Sequence, residues 1–256
     1  MIRIFIGCAP DGADAESQAT LEHALRSRAS AELDITWMVA NREPGSLWSG
    51  WDMRRWATPF SGFRWAVPEA CGFKGRAIYM DSDLIVLGDI GELWETELMR
   101  GQVAAVRGPS RFCVTLWDCA AARDHLLRLS DLRRADGHQR MSGYFAQHPG
   151  LVKRFGPKWN YLDSEDRGPL DGVRIVHYTD LSTQPHLNYA IPRLAGAGRS
   201  HWYDGPLRSH PRPDIAMLFE REFAAAKIAG YTVDRYLPAQ AYGAVEKRNM
   251  SGYRAR

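Results

Sequence analysis

Asp81 and Asp83 stand one residue apart, between the apolar run Ala77-Ile78-Tyr79-Met80 and a second run, Leu84-Ile85-Val86-Leu87. Two carboxylates at the end of a buried strand would each cost on the order of several kcal/mol to desolvate without compensation. A divalent cation carrying a diphosphate supplies that compensation, and as a Lewis acid it neutralises charge on a departing phosphate. The competing reading is an exposed turn between two strands, since Asp is a common turn residue. His177 ends the apolar stretch Val173-Arg174-Ile175-Val176. It reads either as a third ligand or as a satisfied structural histidine. Two carboxylates and an imidazole form a mixed oxygen and nitrogen set that suits Mn²⁺, and Mg²⁺ less comfortably. Asp163-Ser164-Glu165-Asp166 reads as a second metal or sugar-hydroxyl site, or as a solvated loop.

These side chains need elements to carry them. Ile2 to Ile6 is a strand, closed by the turn-rich loop Gly7-Cys8-Ala9-Pro10-Asp11-Gly12. Asp14 or Ser17 caps a helix that keeps Leu21, Ala24 and Leu25 on one face as far as Ala29. Asp34 to Val39 is the next strand. Right-handed crossover makes this βαβ unit parallel. Further strands are predicted at 77–80, 84–87, 103–106, 114–117 and 173–176, with helices at 61–70, 120–130 and from Asp214 to about Ala229. The fold class is therefore α/β, a mixed and mostly parallel sheet flanked by helices. Residues 1–205 form the main domain and 206–256 a small C-terminal extension, helical and then basic and aromatic. Phosphates bind such sheets at the carboxyl ends of the strands. The 7–12 loop, the end of the 77–80 strand, the 107–113 loop and His177 are predicted to meet there.

A composition of 45% hydrophobic and 25% charged residues is that of an ordinary soluble domain. The formal charge of +3 is too small to indicate nucleic acid, and suits an anionic ligand. Cys8, Cys71, Cys113 and Cys119 form no CxxC pair and read as reduced thiols. The N-terminus enters a strand at once and no stretch reaches 18 apolar residues, which gives a cytoplasmic expectation. Tyr231, Tyr236, Tyr242, Lys247, Arg248, Arg254 and Arg256 form a tail. It reads either as a peripheral docking element at the inner membrane face or as a packed appendage. The GxGxxG, Walker A and Gly-x-Ser-x-Gly patterns are all absent.

The block Gly75-Arg76-Ala77-Ile78-Tyr79-Met80-Asp81-Ser82-Asp83-Leu84-Ile85-Val86-Leu87-Gly88-Asp89-Ile90-Gly91-Glu92-Leu93-Trp94 resembles the centre of family 8 glycosyltransferases. That resemblance implies a GT-A fold, with a DxD motif holding the Mn²⁺ of a nucleotide-sugar donor, a UDP-sugar in the first instance. It implies Asp81, Asp83 and His177 as metal ligands, with the first two counted as catalytic. Ile6, Gly7 and Cys8 would cradle base and ribose, and Arg64, in Ser61-Gly62-Phe63-Arg64, would reach the donor. Ser82 and Gln184 are counted on the donor side, with Gln184 near the place of a family lysine. Arg111-Phe112-Cys113-Val114 stands where the family has Asn-x-Gly-Val. Gly137-His138-Gln139 echoes the family's Asp-Gln-Asp, which makes Gln139 a sugar contact. The implied reaction is retaining transfer to a hydroxyl of a carbohydrate or lipid-linked acceptor. The alternatives are a sugar-nucleotide pyrophosphorylase and a non-catalytic carbohydrate-binding relative. A pyrophosphorylase would need a lysine-bearing phosphate loop, and the 7–12 loop carries no lysine or arginine.

Overall fold

Ile2–Cys8 forms strand β1, and its alternation sets how the sheet is covered: Ile2, Ile4 and Ile6 enter one core, Phe5 another. The structure, a computed structural model, describes residues 1–108, 111–239, 241–243 and 245. After β1 come α1 (Ala15–Arg28), β2 (Leu33–Val39) and a 3-10 stretch (Ser61–Ala66) that runs into α2 (Val67–Ala70). β3 (Arg76–Asp81), β4 (Leu84–Val86), α3 (Gly91–Trp94), β5 (Ala104–Arg107) and β6 (Arg111–Asp118) follow. The second half holds α4 (Leu129–Leu132), α5 (Gly137–Gln147), β7 (Val152–Arg154), β8 (Tyr161–Leu162), β9 (Ile175–His177), α6 (Leu187–Gly196) and α7 (Pro213–Ile228).

The central sheet has the order β2-β1-β3-β6-β5-β7. β1 runs parallel to β2 and β3, and β5 parallel to β7, while β6 is antiparallel to both its neighbours. A smaller sheet, β4-β9-β8, joins β4 to β9 antiparallel and β9 to β8 parallel. The fold is thus mixed α/β with a mostly parallel sheet, as the sequence predicts.

On one face of the sheet, α1 lays Leu21, Ala24 and Leu25 against Ile4, Ile6, Ile78 and Met80. On the other, Trp51, Trp56, Phe60, Phe63 and Trp65 meet Tyr79, Phe112, Trp117 and Phe145. Trp56 and Phe63 meet edge to face at 5.5 Å, and Trp65 stacks on Phe145 at 5.5 Å. Burial of each such ring contributes about 1.5–3 kcal/mol, which holds the irregular 41–60 segment without a ladder of its own. Gly62 is required there, since a Cβ would lie 2.2 Å from Trp56 Cζ2.

A third core joins α7 to the small sheet, where Ile215, Leu218, Phe219 and Phe223 pack with Ile85, Val176 and Tyr178. Arg28 on α1 grips Glu222 on α7 through both carboxylate oxygens, at 2.8 and 2.9 Å. Tyr236 donates to Glu22 and the Tyr242 amide to Asp11, so the tail returns to the first βα unit. Lys247, Arg248, Arg254 and Arg256 lie outside the described residues.

Three local expectations are refined or corrected. The predicted helix over 120–130 is not formed: the Asp118 carboxylate accepts from the Ala120 and Ala121 amides and turns the chain, leaving only α4 and then α5. The helix expected over 61–70 forms, as a 3-10 stretch over Ser61–Ala66 that runs into α2. Asp14 stands at the N-cap of α1, as one alternative had it, but its side chain makes no capping bond and turns the other way to accept from the Ala9 amide and Ser82 Oγ. Among the described residues no helix is long and apolar enough to cross a membrane.

Candidate functional site

β3 lies between the parallel β1 and the antiparallel β6, and its pairing decides where Asp81 ends up. Gly7 on β1 pairs with Asp81, and Val114 on β6 pairs with Met80. Asp81 therefore emerges where β1 ends and β6 begins. The Tyr79 hydroxyl and Arg64 hold it: the tyrosine donates to Oδ1, and Arg64 Nη2 reaches both oxygens at 3.0 and 3.1 Å. The Arg64 guanidinium also lies 5.2 Å over the Tyr79 ring. Gly7 makes this arrangement fit, since a Cβ there would come 2.7 Å from the Tyr79 hydroxyl.

Asp83 is placed by the small sheet. Leu84 pairs with His177, and the Tyr178 amide donates to the Asp83 carbonyl. Gln184 Nε2 donates to Asp83 Oδ2 at 2.8 Å and to the Tyr178 carbonyl. Asp83 Oδ1 faces His177 Nε2 at 3.2 Å and is otherwise a buried oxygen without a well-directed donor. His177 Nδ1 lies 3.1 Å from Asn160 Oδ1, and Asn160 Nδ2 donates to Cys113 Sγ at 3.1 Å. Asp81, Cys113 and His177 offer ligand atoms that all lie within 4.8 Å of one another.

These residues line a cavity of about 180 Å³ walled also by Ser61, Trp65, Arg111 and His138. Burial shapes their charge. It pushes the Asp81 carboxyl up, against the pull of Arg64. It works the same way on Asp83, but the neighbouring His177 imidazolium outweighs it and holds that carboxyl low. Burial alone would lower His177, yet Cys113 and Asp83 carry it well above the ordinary imidazole value. His138 behaves in the opposite way: burial, aided by the Arg64 charge, brings it down to about 3. Its Nδ1 accepts from Trp65 Nε1, so the neutral ring carries its proton on Nε2.

Of the residues singled out from sequence, the structure brings together Arg64, Asp81, Asp83, His177 and Gln184. The rest it places elsewhere. Ile6 packs in the core, and Cys8 is fully buried with its sulfur against the Ile6 and Met38 carbonyls. Gly7 serves packing. Ser82 turns away to Asp14, whose carboxyl burial raises to about 6. Gln139, expected as a sugar contact, sends its amide outward to the Arg55 carbonyl, and one residue earlier His138 lines the cavity wall. The acidic loop is solvated only in part, with Glu165 exposed and Asp163 buried. Asp163 holds Thr179 and His210, and Asp166 pairs with Arg107. Reading the sequence alone missed Asn160, Cys113, Tyr79 and His138, none of which lies in a charged cluster. A second groove, of about 990 Å³, runs past Ala9, Asp11 and Gly12 after β1, Asn41 and Glu43 after β2, and Tyr236, Leu237 and Tyr242.

No family model matches the sequence, and no curated protein matches it. Solved structures do, and they define the class: the chain has the GT-A glycosyltransferase fold. GlyE of Streptococcus pneumoniae TIGR4, a glycosyltransferase, superimposes with a TM-score of 0.58 at 14% identity over 95% of this chain and 66% of its own. The galactosyltransferase LgtC, solved in complex with donor and acceptor sugar analogs, gives 0.55 at 12% over 90% of this chain and 100% of its own. The bifunctional glycosyltransferase WbbM gives 0.53 at 11% over 86% and 51%. At these identities the likeness is one of fold.

Proposed function

We propose that the protein is a metal-dependent glycosyltransferase related to family 8, moving a sugar from a nucleoside diphosphate, a UDP-sugar first, to a hydroxyl of a carbohydrate or lipid-linked acceptor. The observation that carries this reading is the convergence of Asp81, Asp83 and His177 at the carboxyl end of β3, on a fold shared with sugar-transferring enzymes. The donor set fits a divalent cation. Asp83 Oδ1 is buried 3.2 Å from His177 Nε2 without a directed donor, and an ion displacing the imidazolium proton would keep positive charge against this buried carboxylate while binding both groups. Asp81, Asp83 and His177 would hold the ion, Mn²⁺ before Mg²⁺. When bound, it supplies Lewis-acid neutralisation of the departing diphosphate.

The chain's own residues do the positioning. Arg64 and Tyr79 fix Asp81, and Gln184 fixes Asp83. Arg64 brings a permanent positive charge to the donor side of the cavity. His138 remains neutral and offers Nε2–H to a sugar oxygen. Both carboxylates that line the cavity are engaged, which favours a retaining route in which the leaving phosphate takes the acceptor's proton. The groove beyond Ala9 and Asp11 suits the nucleoside better than the buried Ile6–Cys8 side chains do.

Calorimetry of UDP binding with and without Mn²⁺ tests the reading. Binding should require the ion and be lost in Asp83→Ala. UDP binding indifferent to both would sink it. Release of free sugar from a panel of nucleotide sugars, read by mass spectrometry, would identify the donor. Formation of a nucleotide sugar from a sugar phosphate and a nucleoside triphosphate would instead support the pyrophosphorylase alternative.

A further inference from the structure

We infer that Cys113 Sγ is a metal ligand in this cleft, joining Asp81 and His177 in an oxygen, sulfur and nitrogen set that favours a thiophilic divalent cation such as Zn²⁺ or Co²⁺ over Mg²⁺. The inference rests on the proposed reading of the cleft as a cation site and names a donor that the aspartates and histidine alone do not supply. Three observations carry it.

The first is convergence. Among the described residues, Asp81, Cys113 and His177 are the group of three whose ligand atoms all lie within 4.8 Å of one another. Bonds of about 2.0–2.3 Å around one ion place neighbouring ligand atoms about 3–4 Å apart, so a small inward adjustment closes the set. Asp83 is not a member of that group, and its Oδ2 is held by Gln184. It stays beside the site through Oδ1, at 3.2 Å from His177 Nε2.

The second is the support behind the ligands. Asn160 is wholly buried, and its single amide serves both Cys113 and His177. Its oxygen accepts from His177 Nδ1–H, so Nε2 is the nitrogen that an ion would take in place of its proton. Its nitrogen donates to Cys113 Sγ, as a group that favours a thiolate should. One side chain that fixes the tautomer of the imidazole and donates to the sulfur is the outer support that ligand sets carry.

The third is the setting of the thiol. A cysteine that serves only as a small apolar filler has apolar neighbours. Cys113 instead lines a polar cavity with Arg64, Asp81, His177 and Gln184. Thiolate sulfur favours zinc and cobalt, whereas Mg²⁺ takes oxygen ligands almost exclusively.

The test is to strip the full-length protein of metal and titrate it with Co²⁺, following absorption. A sulfur-to-cobalt charge-transfer band in the near ultraviolet is expected from the wild-type chain, a readout that needs no activity. It should vanish in Cys113→Ser, with Zn²⁺ affinity falling at least about tenfold and Mn²⁺ affinity changing much less. A wild-type protein that binds Co²⁺ without this band overturns the inference, since no variant has to fold for that result. If Mn²⁺-dependent UDP binding persists in that case, the glycosyltransferase reading stands and only the sulfur ligand is lost. A chain that binds no divalent cation overturns both.

Discussion

At Gly7 a methyl group would meet the Tyr79 hydroxyl at 2.7 Å, and that hydroxyl holds Asp81. Gly7→Ala is therefore expected to cost about 1–3 kcal/mol through overpacking, read in urea melts, and to weaken cation binding as Tyr79 is displaced. Tyr79→Phe separates these effects. It keeps the ring and should cost only about 1 kcal/mol, while still loosening Asp81 and lowering cation affinity. Arg64→Ala leaves the Asp81 carboxylate buried without its ion-pair partner. A destabilisation of about 3–5 kcal/mol is expected, and a melt unchanged from wild type would show that the pair contributes nothing. At this scale the aspartates and His177 were legible because each is a charged or titratable residue beside a clear apolar run, whereas Arg64 was reached only through the family resemblance. Cys113 and Asn160 were not. Their significance arises from meeting each other across 47 residues, and neither type is unusual where it stands. Ile6 and Cys8 turn their side chains inward, and β1 runs two residues past the Ile6 end read from the sequence.

The first βα unit contains an element built around a buried acid. Asp14 accepts both the Ala9 amide and the Ser82 hydroxyl through one oxygen, Oδ2, and desolvation lifts its carboxyl to about 6. A folded-state value above the unfolded one means that this group's contribution is full below about pH 4. It is lost as pH rises through 6. Asp14→Asn keeps an acceptor oxygen without the charge. It should be nearly neutral at pH 4 and stabilising by roughly 2–3 kcal/mol at pH 7.5, measured by denaturant melts at both values. Equal effects at the two pH values would show that Asp14 does not titrate in this window. Element boundaries were legible where apolar spacing was strong, as in β1, α1, β3 and α7. They were not around 120–147, where Leu126, Leu127, Leu129 and Leu132 concentrate the apolar signal ahead of α5. That helix buries little beyond Met141 and Phe145.

Across the whole molecule, the division at residue 205 read from composition runs through a shared core. α7 covers Ile85, Val176 and Tyr178, the same two strands that present Asp83 and His177. A chain ending at residue 205 would expose that apolar surface, and we propose that it loses cooperative unfolding and cation binding together. Circular dichroism melts and cobalt titration of the truncated protein check this. A sharp transition with intact binding would establish 206–256 as a dispensable appendage. The mostly parallel sheet was legible from the βαβ pattern, but the reversal of β6 was not, since a strand's direction leaves no mark in its own residues. That reversal brings the beginning of β6, and with it Cys113, to the end of the sheet where β1 and β3 finish.

Gln184 and Asp83, which share a hydrogen bond, are 101 residues apart in the chain. A ligand gripped by such distant segments is recognised by the finished protein and by no fragment of it. Under mass action, an ion held there at a hundredfold excess over its dissociation constant would deepen the native state by about 2.7 kcal/mol. Cation supply would then regulate how much of the chain survives as folded protein, as well as whether that protein is loaded for its reaction.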